Sequence, residues 1–371
     1  MDNGWEKLLN KNIEEFLLSL KGNFNSFKFS PVLEGATKAG EELSLGFSCY
    51  VLKCYYMLGL WEKLDSETQS DWIDYLNSFQ KNIKEVPNNS FVDLPMYNFY
   101  NSPKRKYAFK NLIKIVLNNL KILKRRTSSD LFMDSIRAES KQTISTLYQL
   151  GFRNNKKYNN FPQTEEEIYS YLDSFNWEEP WNAGAQFSAL CVFTSTQLDS
   201  PKKERNELIL YKYLDKVLEN SSGFYHRGIE VGQKEKINGA MKIITGLDWI
   251  NKPIHHPQKI IDYCLEVVPE SDGCDIVDII YVLYKCTNQS NYKKNEVVEY
   301  LNKLKKIIRK NYHPEYGAFS YFSGKSQTHY YGLKISKGFN TPDIHGTTLL
   351  LWALTMIYNL NGNTEFKVIK P

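Results

Sequence analysis

Apolar residues recur along most of the chain at spacings of three and four, and strict alternation over five or more residues is scarce. That period predicts an almost wholly α-helical protein. Two kinds of helix can be told apart. Segments 7–21, 69–84, 164–176, 203–219, 256–268 and 294–311 combine an apolar stripe with many Lys and Glu, as a helix with one wet face does. Segments 38–59, 132–151, 182–198, 238–249, 273–286 and 344–360 are apolar nearly all round, and two open on small residues, Asn182-Ala183-Gly184-Ala185 and Asn238-Gly239-Ala240-Met241. A helix apolar on every side must be covered on every side, so these segments read as an inner layer and the first set as an outer one.

Wet and dry helices alternate about six times, as antiparallel hairpins closing into a double ring would. The expected fold is therefore all-α, an α/α toroid. Spacing between inner-helix starts is uneven and no motif repeats cleanly, so the repeat is architectural and not textual. Segment 104–126 would be a seventh outer helix, and its nine basic residues suit either a solvated face or peripheral contact with anionic membrane. Loops are expected at 86–103, 152–163, 220–236 and 312–342. The last is long and aromatic, a combination more often functional than idle. No Pro-rich or Gly/Ser-rich linker divides the chain, so 1–371 is expected to be a single domain.

At 42% apolar and 24% charged residues, the composition excludes disordered and collagen-like classes. A net charge of +5 from 47 basic and 42 acidic residues does not argue for nucleic acid. Six cysteines without a CxxC pair, most in apolar runs, point to reduced core thiols and an intracellular, cytoplasmic protein. Neither a signal peptide nor a membrane-spanning run is evident. The abundance of Asn, Lys, Tyr and Ile resembles low-GC bacterial coding bias.

In a ring of hairpins the inner helices point the same way, and polar residues at their starts become neighbours at one mouth. That places Glu41, Glu42, Asp134, Arg137, Glu139, Trp181, Asn182, Gln186, Asn238, Lys242, Asp272, Cys274, Asp275, Asp343 and His345 together. Arg137, Trp181, Gln186, Asn238 and Lys242 are the candidate substrate contacts. The richest stretch is Ser271-Asp272-Gly273-Cys274-Asp275-Ile276-Val277-Asp278. Its acidic residues suit helix capping, while an Asp-x-Cys pair with a distant His345 would supply three zinc ligands and leave one position open. His226, in Gly223-Phe224-Tyr225-His226-Arg227, is a candidate general base or anion contact on a loop expected near the mouth. Tyr225, Tyr330 and Tyr331 lie on similar loops. No GxxxxGKS, HExxH or GxSxG occurs, and no GxGxxG follows a strand.

Asp71-Trp72-Ile73-Asp74-Tyr75-Leu76, then Gln80 and Phe91-Val92-Asp93, is similar to the helix-plus-Gln-plus-aromatic repeat of the terpenoid cyclase and protein prenyltransferase superfamily. Asp272-Gly273-Cys274 resembles the Asp-x-Cys zinc pair of prenyltransferase β subunits, and Asp343-Ile344-His345-Gly346-Thr347 resembles the segment carrying their zinc histidine. The resemblance implies an enzyme acting on an isoprenoid or other hydrophobic substrate, zinc-assisted through Asp272, Cys274 and His345, with Asp275 as an acid or as support for the ligands. A glycan-active toroid is the alternative, whether lyase, hydrolase or uronyl epimerase, with Tyr331 and His226 in acid–base roles. A non-catalytic toroid that binds a ligand or partner is a third possibility.

Overall fold

The computed structural model describes residues 4–21, 27–102, 127–228 and 231–371. Segment 104–126, with its expected helix and membrane contact, lies outside them. Helices dominate the described residues, and the few strands are two residues long. Among these residues twelve helices have nine residues or more: α1 (Leu9–Lys21), α2 (Leu45–Met57), α3 (Ser66–Asn77), α4 (Ser128–Gln149), α5 (Glu165–Asp173), α6 (Pro180–Gln197), α7 (Lys202–Tyr213), α8 (Gln233–Trp249), α9 (Pro257–Leu265), α10 (Gly273–Ser290), α11 (Lys294–Ile308) and α12 (Ile344–Leu360). The odd-numbered helices are the amphipathic segments and the even-numbered ones the segments apolar nearly all round.

The even helices pack on one another in order. Helix α2 contacts α4, α4 contacts α6, and so on through α8 and α10 to α12, which returns to α2. Odd helices pack on this set, α3 on α2, α7 on α6, and α9 and α11 on α10. The small residues noted in the sequence set the closest of these approaches. A Cβ at Gly184 of α6 would come within 2.9 Å of the Lys242 Cβ and 3.0 Å of the Gly239 carbonyl oxygen on α8, closer than real side-chain contacts allow, so glycine is what lets the two helices touch.

The starts of the even helices share one end. Trp181 N–H donates to Glu235 across α6 and α8 (2.9 Å), and Asn238 of α8 donates to Asp275 of α10 (3.1 Å). At the opposite end the chain terminus crosses beneath the helices. Lys367 N–H donates to the Met57 carbonyl at the foot of α2 (3.0 Å), Lys370 N–H to Gln149 at the foot of α4 (2.6 Å), and Trp249 at the foot of α8 to the Pro371 carbonyl (2.8 Å). Phe366 and Ile369 are buried along this strap.

Several boundaries depart from the sequence reading. Segment 38–59 is broken at Leu43-Ser44 into Lys38–Glu42 and α2. The break persists because the Asp93 carboxylate, far along the chain, accepts the first free amides of α2, Ser44 N–H at 2.7 Å and Leu45 N–H at 2.9 Å, a cap supplied by another loop. Helix α3 stops at Asn77, and Gln80–Lys81 instead pairs with Ser90–Phe91. Within 312–342 lie two hairpins, Tyr312–His313 with Ala318–Phe319 and His329–Tyr330 with Leu333–Lys334. No described helix is long and apolar enough to cross a membrane.

Candidate functional site

The loop 312–342 is anchored over the starts of α10 and α12. Asp343 caps α12 through Gly346 N–H (2.7 Å), and its other oxygen accepts Tyr321 N–H (2.7 Å) and Gln327 N–H (3.0 Å). Burial raises this carboxyl to about 6, although the three amides favour its ionised form. Tyr321 in turn accepts Gly273 N–H on its carbonyl (2.8 Å), which fastens the loop to α10.

The loop delivers aromatic rings to the site. His345 is stacked between Tyr50 of α2 (centroids 4.7 Å apart) and Tyr321 (5.2 Å), with its Nδ1 3.0 Å from the Gln327 side-chain oxygen. Burial, then Lys242 and Lys53, push its imidazole down to about 3, so the ring is neutral. Tyr321 also interacts with Cys274, whose thiol burial pushes up to about 12. The Tyr330 hydroxyl donates to the Glu139 carboxylate, and Tyr330 packs against Tyr331 at 4.6 Å. Tyr331 adopts a left-handed backbone, φ 43°, and its carbonyl accepts the Tyr100 hydroxyl at 2.7 Å.

Two buried carboxyls stand out. Glu139 of α4, 3% exposed, is raised to about 8 by burial, which outweighs the donated Tyr330 hydroxyl. Asp278 of α10, one helical turn after Cys274 and 1% exposed, is raised to about 7, again mainly by burial. Each has one oxygen with no hydrogen-bond partner among the described residues. Both therefore keep their protons to a higher pH than an ordinary carboxyl does.

Lys53 on α2 acts electrostatically on Glu139 and Lys242 on α8 acts on Asp278, and both act on a third lysine, Lys141 on α4. All three are half-buried, and among the described residues none forms an ion pair within 4.0 Å or a side-chain hydrogen bond. They sense one another across the middle of the inner helices. Lys242 and Lys53 both disfavour a charge on Lys141, and Lys242 does the same to Lys53. Lys242 also favours the ionised form of Asp278.

The sequence-derived residues are only partly brought together. Lys242 acts electrostatically on both His345 and Cys274, and Tyr321 interacts with both of those side chains. Asp275 and Asn238 lie at the helix starts, where Asp275 accepts Asn238 and pairs with Lys234. Asp272 caps α10 through Asp275 N–H at 2.9 Å. Asp272, Cys274 and His345 do not form a three-ligand group. Among the described residues the one set of three candidate ligand atoms within 4.8 Å of one another is Glu270, Asp272 and Asp275. That set could hold a metal ion, but the Lys234 ammonium already sits among the three, 3.2 Å from Glu270 and 3.5 Å from Asp272 as well as paired with Asp275. Neutral His345 has the right protonation state for zinc, whereas a thiol held at about 12 must be deprotonated by the metal itself.

Arg137 is engaged by Asp134 at 2.6 Å. Trp181 is 48% exposed at the start of α6, and Gln186 is half-buried further along it. His226 is buried with both ring nitrogens unpartnered among the described residues, and its charged neighbours are Lys236 and Glu219 and not the central lysines. The sequence reading gave no role to Asp278, which closes its richest stretch, or to Tyr321 of the long loop, and did not single out Lys53, Lys141 or Tyr50. A signal was present, because Lys53 and Asp278 are lone charges inside Leu52-Lys53-Cys54 and Val277-Asp278-Ile279, helices otherwise apolar on all sides.

No protein-family model matches the sequence, no curated protein is detectably similar to it, and no solved structure matches it. The chemistry of the site therefore stands on its own residues.

Proposed function

We propose that the chain is an α/α toroid enzyme that binds an anionic small molecule at the centre of its inner helices and acts on it by proton transfer. The toroid is supported by the unbroken order of packing from α2 round to α12 and back, with the amphipathic helices outside. The function rests on one observation, three lysines from three inner helices without ion-pair partners beside two carboxyls held near neutral pH. Buried ammonium groups without an ion pair are costly, so such a lysine either tends to lose its proton or is completed by an anion. Asp278, half-protonated at neutral pH, can give or take a proton beside the ligand, and Glu139 with Tyr330 forms a second such pair.

Of the substrate classes suggested by the sequence, an acidic sugar is best supported, because the cluster is lined by Lys, Tyr, His and carboxyls and not by aliphatic residues alone. An isoprenoid diphosphate is the second reading, favoured by the neighbouring Cys274, Tyr321 and His345 and by the basic character of the three lysines. Calorimetric titration of the protein with glucuronate and with inorganic pyrophosphate tests this. Saturable, salt-sensitive binding of one of them, weakened at least about tenfold in Lys242→Met, corresponds to the loss of about 1.4 kcal/mol expected for a charge-assisted contact. Glucuronate binding selects the sugar, pyrophosphate binding the diphosphate, and binding of neither by the unmodified chain contradicts the proposal.

A further inference from the structure

The second hairpin of the aromatic loop closes on a turn that its sequence does not suit. Tyr330 pairs with Leu333, so the connection is Tyr331-Gly332, and both residues are left-handed, with φ 43° and 80°. A two-residue turn of that kind favours Asn-Gly or Asp-Gly, because a Cβ is crowded there and a large side chain gains no local hydrogen bond in exchange. Among the described residues six non-glycines have positive φ; three are asparagines, and Tyr331 is the single aromatic. Burial does not offset the strain. The residue is 37% exposed, and its ring packs edge-on against Tyr330 at 4.6 Å. The backbone is held from elsewhere, through the 2.7 Å hydrogen bond from the Tyr100 hydroxyl to the Tyr331 carbonyl. Strained residues fixed by their surroundings gather at ligand sites.

The neighbourhood of the ring points the same way. The Tyr330 hydroxyl donates to Glu139, a residue 3% exposed whose other carboxyl oxygen has no partner among the described residues. A buried polar oxygen left open is costly until a ligand group meets it. An exposed aromatic face beside such an oxygen suits a ligand with both a flat face of C–H groups and a hydroxyl: the partly positive C–H groups lie on the negative π face, and the hydroxyl meets the carboxyl. A sugar ring has both, and pyrophosphate has neither. We propose that Tyr331 is the stacking platform for the ring of an acidic sugar, with the open oxygen of Glu139 meeting one of its hydroxyls. This assignment rests on the acidic-sugar reading above and gives Tyr331 a contact through its ring in place of an acid–base role.

The test is calorimetric titration of the full chain, Tyr331→Asn and Tyr331→Phe with glucuronate and with pyrophosphate, together with the thermal midpoint of each free protein. Asparagine suits the left-handed turn and removes the ring, whereas phenylalanine keeps the ring and removes the hydroxyl. Relief of strain should make Tyr331→Asn melt about 1–2 °C higher than the unmodified chain. The same variant should bind glucuronate at least about fivefold more weakly and pyrophosphate unchanged, while Tyr331→Phe should bind glucuronate within about twofold of the unmodified chain. Tyr331→Asn melting no higher would show that the ring serves the fold, and an equal loss in Tyr331→Phe would show that the hydroxyl makes the contact; either overturns the platform. If the unmodified chain binds glucuronate and Tyr331→Asn binds it equally well, the sugar reading stands and the platform falls. If the unmodified chain binds pyrophosphate alone, the anion site stands and the sugar reading falls with the platform; if it binds neither, all three fall.

Discussion

At the residue scale the informative groups are those whose burial conflicts with their charge. Glu139 and Asp278 hold their protons well above the ordinary carboxyl range because the charged form is desolvated. A folded state that keeps protons the unfolded chain would release is penalised as pH rises. For Glu139 the penalty is absent below about 4.5 and complete above about 8. Replacing Glu139 by Gln removes this titration and keeps an acceptor for Tyr330. The thermal midpoint of Glu139→Gln, measured against the unmodified chain, should gain between pH 5 and pH 8 by the equivalent of about 1–3 kcal/mol, below the full linkage value because neighbours relax. A difference that stays flat with pH would show that Glu139 is ionised in the fold. Such groups were hard to read in advance. Glu139 was visible as one polar residue at a helix start, but its protonation depends on Tyr330, 191 positions away, which no local pattern encodes.

At the scale of elements, the alternation of wet and dry helices was legible because each kind carries its own period, and the order of α1 to α12 followed from it. Break points were not legible where the determinant was remote. The cap of α2 is Asp93, and the loop 312–342 is held by Asp343 and Asn311, whose amide donates to the carbonyls of Ser271 at 3.0 Å and Ser320 at 3.1 Å. Asp272 shows how capping and metal-binding readings separate. Because Asn caps as well as Asp, Asp272→Asn should leave stability within about 0.5 kcal/mol, while Asp272→Ala should cost about 1 kcal/mol in denaturant unfolding. Equal losses in both variants would mean that the carboxylate charge, through Lys234, outweighs the cap. Gly346 offers a sharper test of the loop anchor. A Cβ there would overlap the Tyr321 amide and the Ser320 carbonyl, so Gly346→Ala should destabilise by about 3 kcal/mol and release Tyr321 from His345. Unchanged unfolding in that variant would show that the loop does not seat on α12.

At the scale of the whole molecule, one end of the inner helices is crossed by the strap 364–371 and the other by the aromatic loop over α10 and α12. Phe366 and Ile369, 8% and 4% exposed, each represent about 1.5–3 kcal/mol of burial. Removing residues 364–371 should therefore lower stability by about 3 kcal/mol or more, read by denaturant unfolding, and a chain of unchanged stability would show that the strap does not bind the helix feet. The lysines at 53, 141 and 242 were invisible to pattern reading because they come from three different helices and share no motif. Under the proposed anion site, charges gathered for a ligand weaken the empty fold, as functional sites commonly do. The most direct measurement is the thermal midpoint of Lys242→Met against the unmodified chain, each with and without pyrophosphate and glucuronate. An anion site predicts that the variant melts higher than the unmodified chain without ligand and loses the ligand-induced rise. A variant that melts lower and still responds to the anions like the unmodified chain would contradict it.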